Sequence, residues 1–306
     1  MQDITVVFLG TSSGTPSRTR NVSSVALVLD GAVLLFDCGE GTQHQLLRAP
    51  VRSGAIEAIF ITHLHGDHVY GLPGLLATLS MNGRERPLTI VGPDGLREHL
   101  ECVLRTSHHN PMFPIECRTG FSLSSVSGTG QAEACPTYRG DGFTVVAAPL
   151  DHSIPSLGYC VIEDDRLGTF DPQRARDLGI PPGPQWHELQ RAGDPRVCGP
   201  PRAGRRITYC TDTRPCASAV ELARGADVLI HESTYAEELR EDAEARLHST
   251  ARGAAEVARD AGVGRLLLTH FSTRYLDVAP LVSEAREVFP NTDAAEDFAV
   301  FPVARR

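Results

Sequence analysis

The run Ile59-Phe60-Ile61-Thr62-His63-Leu64-His65-Gly66-Asp67-His68 decides how this chain is read. A short β-branched and aromatic stretch gives way to three histidines and an aspartate within six residues. The apolar part reads as a strand, and the polar part as the loop that leaves it. Imidazole and carboxylate together suit zinc or a similar divalent metal. His63 and His65 alternate, so in an extended loop both point the same way. Asp67 and His68 are adjacent and are expected to point apart. The first pair suits one metal and the second pair another nearby.

The same context recurs along the chain. Phe143-Thr144-Val145-Val146-Ala147-Ala148-Pro149-Leu150 ends in Asp151-His152. Arg206-Ile207-Thr208-Tyr209-Cys210 ends in Thr211-Asp212-Thr213, and Arg265-Leu266-Leu267-Leu268-Thr269 ends in His270. Strand ends are where sheet proteins collect their ligands. The candidates are five histidines (63, 65, 68, 152 and 270) and two aspartates (67 and 212). Seven ligands fit two metals, with Asp212 as the bridging carboxylate, and leave each metal an open position. Open positions mark catalytic rather than structural metal. Two metals about 3.5–4 Å apart clamp both the attacking and the leaving oxygen of a phosphodiester.

His63-Leu64-His65-Gly66-Asp67-His68 resembles the H-x-H-x-D-H signature of the metallo-β-lactamase fold. More narrowly, the chain is similar to the ribonuclease Z family of tRNA 3′-end processing endonucleases. That similarity rests on Phe36-Asp37-Cys38-Gly39-Glu40-Gly41-Thr42-Gln43, Thr62 through Leu75, Pro149-Leu150-Asp151-His152, Gly179-Ile180-Pro181-Pro182-Gly183-Pro184, His231-Glu232-Ser233-Thr234, His248-Ser249-Thr250-Ala251 and Leu268-Thr269-His270-Phe271. These blocks run through nearly the whole chain.

The resemblance implies an α/β fold, an αββα sandwich of two mixed β-sheets flanked by helices. It implies two Zn²⁺ per subunit, with other divalent metals possible, a precursor-tRNA substrate and a homodimer. His63, His65 and His152 would hold one metal, and Asp67, His68 and His270 the other. Asp67 matches the family's proton acceptor, and His248 the donor to the departing oxygen, with Glu232 orienting it. Glu40 is a further candidate acceptor, and His231 is read as structural. Pro16-Ser17-Arg18-Thr19-Arg20-Asn21 is similar to a P-x-K-x-R-N loop, with Arg18 in place of lysine. Arg18, Arg20 and Asn21 would then contact acceptor-end phosphates.

The 306 residues carry a net charge of −9, which argues against a surface that binds nucleic acid indiscriminately. Two divalent cations against two aspartates would still leave the site locally positive. Lysine is absent, so all 29 basic residues are arginine, each able to make a forked contact to phosphate. No apolar run is long enough to cross a membrane. Met1-Gln2-Asp3-Ile4-Thr5 lacks the pattern of a secretory signal. Eight cysteines without a C-x-x-C suit reduced thiols in a cytoplasm, with Cys38 and Cys210 facing the core. Gly10-Thr11-Ser12-Ser13-Gly14 lacks the lysine and spacing of a P-loop, so no nucleotide cofactor is expected.

Ile4 to Leu9 reads as a strand, and Ser23–Asp30 and Ala32–Phe36 as a hairpin turning at Asp30-Gly31. Asp94 reads as the cap of a helix carrying Leu96, Leu100, Val103 and Leu104. Further helices are expected over 72–82, 214–224, 249–261 and 278–288. No linker divides the chain, so residues 1–306 are expected to form one catalytic domain. The Pro/Gly-rich stretch 163–204 breaks the pattern. The resemblance makes it a shortened tRNA-binding arm, and a disordered insertion is the bland alternative. A small-molecule phosphodiesterase or thioester hydrolase of the same fold is the competing enzyme. A module that only binds RNA has no use for seven ligands.

Overall fold

The computed structural model describes residues 4–119 and 135–305, so Met1 to Asp3 of the N-terminal reading lie outside it. Two seven-stranded sheets stack face to face. The first runs, in spatial order, Val300–Val303, Ile4–Gly10, Ser24–Leu29, Ala32–Phe36, Ile56–Phe60, Leu88–Val91 and Ile115–Arg118. The second runs Thr292–Ala294, Leu266–Thr269, Val228–Glu232, Arg206–Cys210, Ser156–Glu163, Phe143–Leu150 and Cys135–Gly140. Each sheet has three parallel and three antiparallel pairings, so both are mixed.

The two-residue period of a strand explains the layering. Ile4, Val6 and Phe8 enter the core between the sheets, while Val7 and Leu9 face outward. Leu34 and Phe36 go inward, and Val33 and Leu35 outward. The outward faces are not wet. Residues of helices Thr42–Arg48, Leu72–Met81 and Leu96–Thr106 join the apolar cluster on the first sheet. Those of Ala217–Ala223, Ala251–Ala261 and Ala279–Val288 join the one on the second. A strand buried on both faces loses its alternation, which is why the ligand-bearing strands read as continuous apolar runs. Phe36 and Phe60 stack at 5.1 Å between the sheets. Truncating such a side chain typically costs about 3–5 kcal/mol.

The Asp30-Gly31 turn is as expected, with φ of 48° and 90°, the two positive values of a tight primed hairpin turn. Asp94 does not cap its helix. Gly95, at φ 91°, stands at the N-cap with no side-chain hydrogen bond, so Pro93-Asp94-Gly95 acts as a turn.

The stretch after Glu163 has secondary structure of its own. Paired residues Arg166↔Arg202 and Phe170↔Cys198 form an antiparallel stalk. A Cβ on Gly168 would lie 1.8 Å from the Gly199 carbonyl oxygen, so only glycine permits this approach. Beyond the stalk, helices Pro172–Asp177 and Pro184–Ala192 each start with proline in the first turn. Asp171 caps the former through Gln173 N and Arg174 N. Ala175, Val197 and Cys198 form a separate small core against Phe170, Ile180, Trp186 and Leu189.

Candidate metal centre

The centre lies where four strands end. Phe143–Leu150 is antiparallel to Ser156–Glu163, which is antiparallel to Arg206–Cys210, so the first and third of these end on one edge. Leu266–Thr269 is parallel to Val228–Glu232, itself parallel to Arg206–Cys210, and ends there too. Ile56–Phe60 of the facing sheet supplies His63, His65, Asp67 and His68 beyond its last residue. His65 stands at the N-cap position of the one-turn helix Gly66–Val69, with no side-chain cap hydrogen bond.

That turn corrects one expectation. Asp67 and His68 do not point apart: Asp67 Oδ2 lies 3.3 Å from His68 Nε2. Successive side chains on a helix are about 100° apart rather than opposed, and both reach the same centre.

The ligand atoms of His63, His65, His152 and Asp212 lie within 4.8 Å of one another, and so do those of Asp67, His68 and His270. Asp212 joins the two groups. Its Oδ2 is 3.6 Å from His63 Nε2 and 3.8 Å from His152 Nε2. Its Oδ1 is 3.2 Å from His68 Nε2 and 3.1 Å from His270 Nε2. Each oxygen thus faces its own set of imidazoles. His65 turns Nδ1 toward the centre, 3.0 Å from His63 Nε2 and 3.3 Å from His152 Nε2.

The candidate ligands are held from behind. His63 Nδ1 meets Thr62 Oγ1 at 3.0 Å, and His152 Nδ1 meets Leu247 O at 3.2 Å. His270 Nδ1 meets Thr234 Oγ1 at 2.9 Å, and His68 Nδ1 meets Asp37 Oδ2 at 2.8 Å. Fixing the outer nitrogen directs the inner lone pair at the centre. Asp37 is buried and also accepts from Thr62 N, Thr62 Oγ1 and Tyr209 OH. It takes the acceptor role expected of Glu40, which is exposed and whose backbone carbonyl accepts from Asn21 Nδ2. Asp37, Thr234 and Tyr209 were not singled out from the sequence. Three backbone corners carry positive φ: Asp37 at 56°, Asp212 at 49° and His270 at 60°.

These residues fit divalent metal. His68 Nε2 and His270 Nε2 are buried and make no hydrogen bond despite the carboxylate oxygens beside them. Burial, then the neighbouring histidines, depress His63 to a pKa of about 2. Burial would lower His68 too, but Asp212, Asp37 and Asp67 hold it well above its ordinary value. Burial would raise Asp212, yet His270, His68 and His63 hold it well below the carboxylate range. Ionised carboxylates beside imidazoles, with the His68 proton released on binding, are the donor set a cation requires.

His248 stands beside this cluster, its ring 5.1 Å from that of His152 and 5.8 Å from that of His270. It lies ahead of the helix Ala251–Ala261, whose cap is Thr250. Its Nδ1 is 2.8 Å from Glu232 Oε1. Burial would lower its pKa, but Glu232 raises it to about 9. Glu232 is buried and also accepts from Thr213 N at 2.7 Å and Thr234 Oγ1 at 2.6 Å. His231 is buried, its Nδ1 2.9 Å from Glu232 O, in keeping with a structural reading. Cys38 and Cys210 are core residues, as expected.

The Arg18 loop divides. Arg20 Nη1 donates to Thr11 Oγ1 and Ala295 O, and its guanidinium lies 4.8 Å over Phe271. Asn21 is tied to Glu40 O and Asp297. Arg18 is exposed.

Residues 4–155 match the profile described as Anti-Pycsar protein Apyc1, and residues 197–271 that of the Beta-lactamase superfamily domain. A protein named Ribonuclease Z from Gloeothece citriformis is 46% identical over 98% of this chain and 96% of its own length. One of the same name from Nostoc sp. is 46% identical over 98% and 95%. The crystal structure of human tRNase Z, short form, superposes with a TM-score of 0.72 at 32% identity, covering 98% of this chain and 99% of that one. With the H-x-H-x-D-H loop, Asp212 between two histidine sets and the paired sheets in place, the chain belongs to the ribonuclease Z family of the metallo-β-lactamase fold.

Proposed function

We propose that this protein is a metal-dependent endoribonuclease that hydrolyses one phosphodiester to remove the 3′ trailer from precursor tRNA. The observation that carries the reading is Asp212, whose two oxygens each face a separate histidine set. Two ions, one with His63, His65 and His152 and one with Asp67, His68 and His270, account for all seven ligands. Imidazole-rich sites of this kind favour Zn²⁺. Bound there, the metals supply an activated water and neutralise charge at the phosphoryl oxygens.

The chain's own residues do the rest. Asp67 accepts the proton of the attacking water, and the Gly14 N–H at 2.8 Å orients its Oδ2. Glu232 keeps His248 protonated and turned, with Nδ1 occupied, so that Nε2 gives its proton to the departing oxygen. Among the loop residues, Arg18 remains available for acceptor-end phosphates, and Arg20 and Asn21 hold the loop's shape.

We read residues 1–306 as one catalytic domain bearing an arm that grips the tRNA away from the metals. A small-molecule phosphodiesterase or thioester hydrolase would leave that folded arm without a role. The same reading makes the enzyme a cytoplasmic homodimer. Its eight cysteines, all unpaired, suit a reducing compartment. The test is to incubate the purified protein with a precursor tRNA bearing a 3′ trailer, with and without chelator, and to map the product ends. A cut at the end of the acceptor stem, abolished by chelator and restored by Zn²⁺, is expected. Chelator-resistant cleavage, or a single closed four-ligand site in anomalous scattering, overturns the two-metal reading.

A further inference from the structure

We infer that Arg214 holds the substrate phosphate next to the departing oxygen, at the rim of a cavity of about 510 Å³ that His248 also lines. The inference rests on the proposed function, because His248 marks the side on which the cleaved strand leaves. A strand departing from His248 Nε2 passes this cavity, between the loop that follows Asp212 and the helices Arg240–Ala245 and Ala251–Ala261.

Arg214 is placed by a clamp between two ligand loops. Its backbone N donates to Asp151 O at 3.1 Å and its Nε to Asp151 Oδ2 at 2.7 Å. Asp151 N returns a bond to Thr213 Oγ1 at 3.1 Å. Asp151 precedes His152, and Arg214 lies two residues beyond Asp212, so both contacts sit beside metal ligands. Of the guanidinium, the clamp uses only Nε. The side chain remains 46% exposed, and its two Nη groups form the edge that pairs with phosphate.

The rest of the lining explains why one arginine is chosen. Arg240 also lines the cavity, but it is taken up by Glu237 at 2.6 Å and Glu256 at 3.7 Å. Asp151, Glu244 and Glu256 make the cavity no general anion trap. A phosphate is accepted where the free guanidinium edge lies, and the carboxylates discourage phosphates that stray deeper. That is a means of fixing where along the strand the cut falls.

The experiment compares Arg214→Met and Arg214→Lys with wild type on precursor tRNA, in the zinc-loaded enzyme and over a range of salt. For Arg214→Met, KM is expected to rise about tenfold or more, as for a lost hydrogen bond to a charged group. The log–log salt slope of kcat/KM should become shallower by about 0.7–0.9, the value of one phosphate contact. Both metals should be retained on elemental analysis. Arg214→Lys keeps the charge but not the fork, so the slope should stay and KM should fall between. An unchanged slope in Arg214→Met, or loss of metal from it, overturns the inference and leaves Arg214 as a clamp alone. If wild type fails to cut precursor tRNA, the proposed function fails instead.

Discussion

A histidine bonded to a buried carboxylate holds its proton more tightly than one in water, and His248 is placed to use that proton. Replacing it with alanine should lower the rate of trailer removal by about 10²–10⁴-fold, the usual worth of general acid help. Metal content should not change, because His248 belongs to neither proposed ligand set; loss of metal would make it a ligand beside Asp212 and His270. Single-turnover cleavage with metal analysis measures both, and activity within a few-fold of wild type would remove His248 from the chemistry. At this scale the seven candidate ligands were legible because histidine and aspartate interrupt apolar runs. Asp37 and Thr234 were not. Asp37 sits 31 residues from His68 and Thr234 36 residues from His270, and no local spacing ties either to its histidine. Nor could spacing show that Arg20 spends its charge on Thr11 and Ala295 inside the fold.

The arm shows how proline can be misread at the scale of elements. A stretch rich in proline and glycine suggests irregular chain, yet Pro172 and Pro184 open helices, where a missing N–H costs nothing. Gly193, at φ 63°, closes the second helix. What the sequence hid was the small core of Ala175, Val197 and Cys198, whose members meet only after the chain doubles back. An arm with its own core can be removed as a unit. Replacing everything beyond the Arg166–Arg202 pair with a short glycine-serine link should weaken precursor-tRNA binding. Hydrolysis of bis(p-nitrophenyl) phosphate, which is too small to reach the arm, should continue. Remote contacts add binding energy for the large substrate alone. Equal losses on both substrates would mean that the arm supports the metal centre, and no loss on tRNA would remove it from recognition.

Across the whole molecule, the buried pair of Glu163 and Arg205 joins three parts. Arg205 Nε and Nη2 donate to Glu163 at 2.9 Å, and Nη1 reaches Val303 O at 3.0 Å. The root of the arm, the second sheet and the last strand of the first sheet thus meet at one guanidinium. Hydrogen bonds from Arg205 hold Glu163 below its ordinary pKa of 4.5. A carboxylate with a depressed folded pKa stabilises above its unfolded value and loses that contribution as pH falls through the folded one. Glu163→Gln removes the carboxylate that accepts from Arg205 Nε and Nη2 and should cost about 1.5–3 kcal/mol near pH 7, the worth of a hydrogen bond to a charged group. In urea denaturation the gap between variant and wild type should narrow below pH 4.5. A gap that is constant with pH would mean that the pair acts by shape alone. That the sheet is mixed was legible from the early hairpin, and the presence of a second sheet came only from the family resemblance. So did the stacking of the two, because strands apolar on both faces do not say which face meets which.

The left-handed backbone at Asp212 and His270 sets a limit on how this protein can be improved. An L-residue in that region gives up about 1–2 kcal/mol relative to a right-handed conformation, and glycine gives up almost nothing. Glycine at either corner would also relieve the crowding of charge and lone pairs around the centre. A library ranked only by melting temperature would therefore enrich glycine at 212 and 270, and its most heat-resistant members would have lost two of the residues proposed to hold the metals.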